Sequence, residues 1–172
     1  MVNRICLAGI FLLVMSVACN RVEKIEREAP LLELDLGLNE NIYQIGDTIL
    51  ATLSLKNIGQ EPLIVNKRMI NYVKDLKDLC EIAFTIVTPS GDEAYFVPRV
   101  NVRLLKKDDY TTLLPGDAIT STYEIDDYYS PLESPGNYTI YAIYQNYNDP
   151  GDGEIAWKGE IKSNTIMFKL EP

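Results

Sequence analysis

Side chains that can do chemistry are few in this sequence, and the missing types restrict the possible reactions. The chain has 172 residues, with three Cys and no His. Ser-His-Asp and Cys-His nucleophilic systems both need an imidazole base, so neither can be built. His-containing zinc sites are excluded for the same reason. No Walker-type loop and no Gly-x-Gly-x-x-Gly motif occurs, so we expect no nucleotide cofactor.

Carboxylates are plentiful, and their densest group is Asp126-Asp127 beside Tyr128-Tyr129. Glycosidases use two carboxyl groups that face each other across a bond. Neighbouring residues of an extended chain point to opposite faces, so this pair is not preformed for that task. We interpret it as part of a solvated loop and predict that the protein is not an enzyme.

Oxygen-bearing side chains also cluster in one loop, residues 146–154, where Asn and Asp alternate with Gly. Such a composition suits calcium. Pro150, however, stands where a calcium loop would carry Asp or Asn. We favour a hairpin connection without a metal, and calcium binding from Asn146 to Glu154 is the alternative.

The N-terminus has the organisation of a secretory signal. Arg4 precedes an apolar run from Ile5 to Val17, and Ala18-Cys19 follows. The run is shorter than the roughly 20 residues that span a bilayer. Ser16-Val17-Ala18-Cys19 resembles the lipobox of bacterial lipoproteins, although Ser16 replaces the usual Leu.

This resemblance implies that residues 1–18 are removed and that Cys19 is acylated and anchors the protein to a membrane. Residues 19–29 would be the lipidated N-terminus and tether, because residues 20–29 are charged and have little apolar content. A short amphipathic helix is the alternative for this segment. The domain would lie in the cell envelope, in the outer membrane or at the cell surface. An ordinary signal peptide or an uncleaved anchor is the alternative. Cys80 would then be the remaining Cys, which we interpret as a buried structural thiol.

The net charge is −9 at pH 7. A nucleic-acid partner needs a basic surface, so the composition disfavours one.

Period-two alternation dominates from Pro30 onward and predicts strands that are buried on one face. It is clearest in Leu32–Leu38, Ile49–Leu55 and Ile119–Ile125. Turns rich in Gly, Pro, Asn and Asp separate these segments. We therefore predict one all-β domain over residues 30–172, an antiparallel β-sandwich of about seven to nine strands, with a closed barrel as the alternative.

Several local motifs resemble those of bacterial immunoglobulin-like domains. They are Tyr43-x-x-Gly46-Asp47-x-Ile49, Leu114-Pro115-Gly116-Asp117, Pro135-Gly136-x-Tyr138-Thr139 and Ser163-Asn164-Thr165-Ile166-x-Phe168. Their order is similar to that in bacterial intracellular proteinase inhibitors and in accessory domains of some secreted metallopeptidases. The resemblance implies an immunoglobulin-like fold in which Tyr138 makes a tyrosine-corner hydrogen bond.

The strand that begins near Tyr138 carries the candidate binding face. Alternation places Tyr138, Ile140, Ala142 and Tyr144 inward, and Thr139, Tyr141, Ile143, Gln145 and Tyr147 outward. Tyr141, Ile143 and Tyr147 would form an apolar stripe, which marks a contact site if it is exposed. The alternative is a cross-strand ladder that neighbouring side chains shield. The single Trp, Trp157, is expected to fill the core rather than to form a platform.

These observations predict a lipid-anchored, non-catalytic binding module for a protein or glycan ligand. One alternative is a protease inhibitor that uses an exposed loop at Pro98–Asp109. Another is a structural subunit of an outer-membrane assembly. Asp47-Thr48-Ile49 also resembles a bacterial O-glycosylation motif, which would place a sugar on Thr48.

Overall fold

A computed structural model describes residues 31–71, 80–97, 103–130 and 132–172. The predicted signal peptide, Cys19 and the tether lie outside these residues, as does the 98–102 part of the long loop. The described elements are β1 (Leu32–Leu38), β2 (Ile42–Gln44), β3 (Leu50–Asn57), β4 (Leu63–Asn66), β5 (Ile82–Val87), β6 (Tyr95–Phe96), a 3₁₀ helix (Lys107–Asp109), β7 (Tyr110–Leu113), β8 (Ala118–Glu124), α1 (Ile125–Tyr128), β9 (Tyr129–Ser130), β10 (Gly136–Asn146), β11 (Gly159–Lys162) and β12 (Ile166–Glu171).

The predicted fold class is confirmed, because the described chain is nearly all β and two sheets form a sandwich. The smaller sheet has the antiparallel order β1-β3-β8. The larger sheet has the order β11-β10-β12-β2, and β5 also pairs with β10. The two sheets contain eight strands, and two short ladders, β4-β7 and β6-β9, lie beside them in the described chain.

One feature of the larger sheet was not expected. After β1 the chain crosses to the other sheet, where β2 pairs with β12 in parallel. The hydroxyl of Tyr43 accepts a hydrogen bond from the Glu40 amide (3.0 Å) and lies 2.9 Å from the side-chain oxygen of Asn39. These contacts hold the turn between the two strands, so β1 forms an edge of the smaller sheet and β2 an edge of the larger one.

The core lies between the sheets and follows the alternation of the sequence. Leu32, Leu34 and Leu36 of β1 are buried, while the residues between them are exposed. All four residues of β10 that were predicted to point inward are buried. The predicted tyrosine corner is present, because the Tyr138 hydroxyl donates to the Ser134 carbonyl oxygen at 2.9 Å.

A polar cluster is buried where the chain passes from β4 to β5. The Glu81 carboxylate accepts hydrogen bonds from Asn66 Nδ2 (3.0 Å), Arg68 Nη2 (2.7 Å), Arg68 Nε (3.3 Å) and the Ile70 amide (3.1 Å). The side chains of Arg68 and Glu81 are only 6% and 3% exposed. The Tyr144 hydroxyl lies at 3.1 Å from the amide nitrogen of Asn66 and donates to its carbonyl oxygen at 3.0 Å. This cluster ties β4 to β5 and β10.

Among the described residues, neither helix has the length or the apolar composition that crossing a bilayer requires.

Candidate functional site

The outer face of the larger sheet carries the predicted stripe. Tyr141 and Ile143 both lie on the side of β10 that faces away from the core, and both are half-buried. Thr85 of β5 stands opposite Tyr141, and Lys162 of β11 stands opposite Ile143. The Lys162 Nζ lies 3.5 Å from the centre of the Tyr141 ring, a cation–π contact. The stripe is therefore partly shielded, and its shield is a long, flexible side chain.

Tyr147 is the most accessible member of the stripe, with 38% of its surface exposed. It follows the end of β10, and its hydroxyl is 2.5 Å from Oε1 of Glu160 in β11. Tyr147 and Glu160 thus form a polar end to the face, next to the apolar Ile143. This end offers a hydroxyl and a carboxylate. The other end offers the Tyr141 ring beneath the Lys162 ammonium group, so the surface has both donors and acceptors.

The prediction for Gln145 was wrong, because this residue is buried rather than outward and accessible. Its Nε2 donates to the Cys80 carbonyl oxygen at 3.0 Å, and its amide donates to the Glu81 carbonyl oxygen at 2.8 Å. The chain that leads into β5 therefore covers this end of β10. The alternation within β10 could not predict this burial, because the covering chain is distant in sequence.

The face extends beyond the predicted residues onto β12. Met167 lies opposite Thr139 on the outer side and is 64% exposed. Ile42 of β2 lies further along the same sheet and is 53% exposed. The alternation of Met167 with the buried Phe168 already indicated that Met167 points outward. Only the pairing of β12 with β10 shows that Met167 belongs to the same face as Tyr141.

Carboxylates of the loop from Asn146 to Glu154 pair with two lysines, Lys158 and Lys107. Asp149 Oδ2 lies 2.5 Å from Nζ of Lys158, and its Oδ1 accepts the Ala156 amide at 3.0 Å. Lys107 lies 3.2 Å from Asp152 and 3.5 Å from Glu154. The hydrogen bond from Lys158 is the main cause of the lowered pKa of Asp149. Within the described ranges, no group of three or more His, Cys, Asp or Glu side chains could hold a metal ion.

The structure also places four other residues that the sequence analysis singled out. Cys80 is buried, and this burial raises the pKa of its thiol to about 11. Asp126 lies in α1, where its Oδ1 accepts the Ile49 amide at 2.8 Å. Trp157 packs half-buried against the core, with its ring 5.9 Å from that of Tyr144. Thr48 is exposed.

In the described part of the long loop, Arg103 is held by side-chain contacts and Leu104 is exposed. Arg103 forms an ion pair with the buried Asp109, and its carbonyl oxygen accepts Nη1 of Arg68 at 2.9 Å. The next residue, Leu104, is 78% exposed. The Arg103 hydrogen bond is the main reason that the pKa of Asp109 is lowered.

A cleft that sequence reasoning missed lies at the edge of the smaller sheet. Its volume is about 440 Å³. It is lined by Arg68, Met69, Ile70, Asn71, Thr122, Tyr123, Glu124, Asp127 and Tyr128. Met69 has a φ of 47°, in the left-handed region that few non-glycine residues adopt. The Tyr123 hydroxyl donates to the Met69 carbonyl oxygen at 2.6 Å and so holds this wall of the cleft.

Comparison with known proteins does not assign the chain to a family. No protein-family model matches the sequence. No curated protein is significantly similar to it.

Proposed function

We propose that the protein is a non-catalytic binding module, lipid-anchored through Cys19 in the bacterial cell envelope, that binds a protein or glycan through the outer face of its larger sheet. The observation that carries this proposal is the row of Tyr141, Ile143 and Tyr147, which continues onto Met167. Large apolar side chains gathered on one sheet face are typical of contact surfaces.

The surroundings of the stripe support a site that recognises polar ligands as well as apolar ones. Lys162 lies over the Tyr141 ring, and Glu160 bonds the Tyr147 hydroxyl. An aromatic ring next to a cation and a carboxylate can stack on a sugar ring and bind its hydroxyl groups. The same set can receive an aromatic or charged side chain of a protein. The flexible stem of Lys162 allows the Tyr141 ring to be uncovered without a change in the backbone.

The test compares variants of the full chain on a glycan array and in a pull-down from envelope extract. Tyr141→Ala and Tyr147→Ala should each weaken the interaction that the wild type shows. Tyr95→Ala is the matched control, because Tyr95 is 63% exposed on β6, outside the larger sheet. Glycan signals that only the face variants lose would establish a carbohydrate-binding module. If both face variants kept every interaction of the wild type, the proposed face would be wrong.

The lipid anchor has a separate test. Metabolic labelling with an alkyne fatty acid should label the wild-type protein and not Cys19→Ser. Equal labelling of both would contradict acylation at Cys19.

A protease inhibitor is the second candidate, supported by the exposed Leu104 beside the anchored Arg103. An inhibitory loop needs a fixed base and an accessible side chain, and these two residues provide both. Inhibition of any protease in a broad panel that Leu104→Ala abolishes would support it. No inhibition across that panel would count against it.

A further inference from the structure

A second surface, distinct from the sheet face, lies along β8. In the described part of the chain, β3 is the neighbour of β8 on one side, and no backbone group pairs with its other side. The ladder between β3 and β8 is in register over seven pairs without a bulge. Natural edge strands are usually shortened, bulged or protected by Lys or Pro. β8 has none of these protections.

The hydrogen bonds at both ends of this ladder show which groups face the open edge. The Asn57 amide donates to the Asp117 carbonyl oxygen at 2.9 Å, and the Ile125 amide donates to the Ile49 carbonyl oxygen at 2.9 Å. Along an antiparallel ladder, pairs that exchange hydrogen bonds alternate with pairs that do not. In β8, Ile119, Ser121 and Tyr123 therefore bond to β3. Thr120, Thr122 and Glu124 direct their amide and carbonyl groups away from β3, toward the open edge.

The opposite edge of the same sheet, β1, is capped by a side chain. The Leu36 amide donates to Oδ1 of Asn164 at 2.7 Å, and Nδ2 of Asn164 donates to the Leu36 carbonyl oxygen at 3.0 Å. One side-chain amide thus occupies both outward groups at the centre of β1. The described chain has no equivalent cap on β8.

The cleft at the end of this open edge contains a donor without an acceptor. Asn71 is 5% exposed, and its Nδ2 has no hydrogen-bond partner among the described residues. The hydrogen bonds of Tyr129 favour this orientation of the amide, because its hydroxyl accepts the Phe84 amide at 3.2 Å and donates its own hydrogen to Oδ1 of Asn71 at 3.1 Å. A buried donor without an acceptor is costly, so this atom favours a ligand that brings a carbonyl or hydroxyl oxygen into the cleft.

The charges around the cleft indicate what kind of chain would fit. Arg68 is paired with the buried Glu81. Glu124 also lines the cleft and is exposed. Its negative charge favours a partner with neutral or basic side chains.

We propose that the open edge of β8 and the adjoining cleft bind an extended peptide segment of a partner protein, with neutral or basic side chains. The segment adds to the smaller sheet as a further strand. The backbone groups of Thr120 and Thr122 pair with it, and one of its oxygens accepts Nδ2 of Asn71. Such strand addition gains affinity from main-chain hydrogen bonds and specificity from side-chain pockets.

The test selects ligands from a phage-displayed library of random linear decapeptides, using the full chain in mild detergent. Enriched peptides are then synthesised, and their affinities are measured by fluorescence anisotropy. Thr122→Pro removes an amide that faces the open edge but leaves the ladder to β3 intact. We expect it to weaken binding at least tenfold with little change in Tm. Thr122→Val is the matched control, because it loses the same hydroxyl but keeps the amide, and it should bind like the wild type.

Hydrogen exchange provides a readout that a general loss of structure would not mimic. The amides of Thr120 and Thr122 should exchange fast in the free protein and slowly with bound peptide, whereas those of Ser121 and Tyr123 should be slow in both. Ser121→Pro should lower Tm strongly, since it breaks the ladder to β3.

Three outcomes would overturn the proposal. The first is a library without enriched peptides. The second is a selected peptide that binds Thr122→Pro as tightly as the wild type. The third is a dimer of the chain that Thr122→Pro dissociates, because a second copy of β8 would then occupy the edge.

Discussion

The Glu81 carboxylate is the place where a conservative substitution should destabilise this protein most. Its two oxygens accept four hydrogen bonds from Asn66, Arg68 and the Ile70 amide. Glu81→Gln preserves the shape of the side chain. It removes the charge, however, and turns an NH₂ group toward donors that need an acceptor. The Arg68 guanidinium group would then stay buried without a counter-charge.

The size of the effect follows from this burial. Removing one partner of a buried ion pair costs about 3–5 kcal/mol. In a domain of this size each kcal/mol lowers Tm by about 2–4 °C, so we expect Tm to fall by roughly 6–20 °C.

Urea unfolding followed by circular dichroism, together with calorimetry, would measure this loss. Glu171→Gln is the matched control, since Glu171 pairs with Lys169 at 2.7 Å but both side chains are well exposed. It should leave the unfolding midpoint unchanged. Combining Glu81→Gln with Arg68→Met should cost less than the sum of the single substitutions, because the unpaired cation is gone. A loss below about 1 kcal/mol for Glu81→Gln, the range of exposed ion pairs, would refute the reasoning.

Three further substitutions or reagents test other parts of the structure. The Cys80 thiol, with a pKa of about 11, should react with maleimide at pH 7 much more slowly in the native protein than in denaturant; equal rates would mean that it is accessible. Tyr138→Phe removes the hydrogen bond to Ser134 and should cost about 1 kcal/mol in urea unfolding. The pKa of Asp109 is lowered, mainly by the hydrogen bond from Arg103, so its carboxylate stabilises the fold above the unfolded pKa of about 3.9. That stabilisation is lost as the pH falls toward the lowered value. Asp109→Asn should therefore reduce the acid dependence of Tm, and an unchanged dependence would contradict this assignment.

Local alternation was enough to predict the clearest strands and their buried faces. β1 has the predicted bounds, Leu32–Leu38, and its buried leucines follow the alternation. The alternating segment Ile119–Ile125 forms β8 up to Glu124, whereas its last residue, Ile125, begins α1. The tyrosine corner at Tyr138 was also predictable, because its hydrogen bond reaches only four residues back. In each case the pattern and its structural cause lie within a few residues of each other.

Contacts between distant segments were not predictable in this way. Gln145 alternates as an outward residue, but the chain around Cys80 covers it. Asn71 has no sequence signature at all, because its unusual position depends on Tyr129 and β8. The two tyrosines of the proposed face were found from β10 alone, whereas Met167 required knowledge of the neighbouring strand.

The parallel pairing of β2 with β12 has a consequence for how the chain can fold during synthesis. β2 lies near the start of the domain, and its partner is made more than a hundred residues later. The same delay applies to Leu36, whose cap is Asn164. At about 5–20 residues per second, roughly 6–26 s pass between the synthesis of these early segments and that of β12 and Asn164. Until synthesis is nearly complete, β2 therefore lacks its partner strand, and the outer edge of β1 lacks its cap.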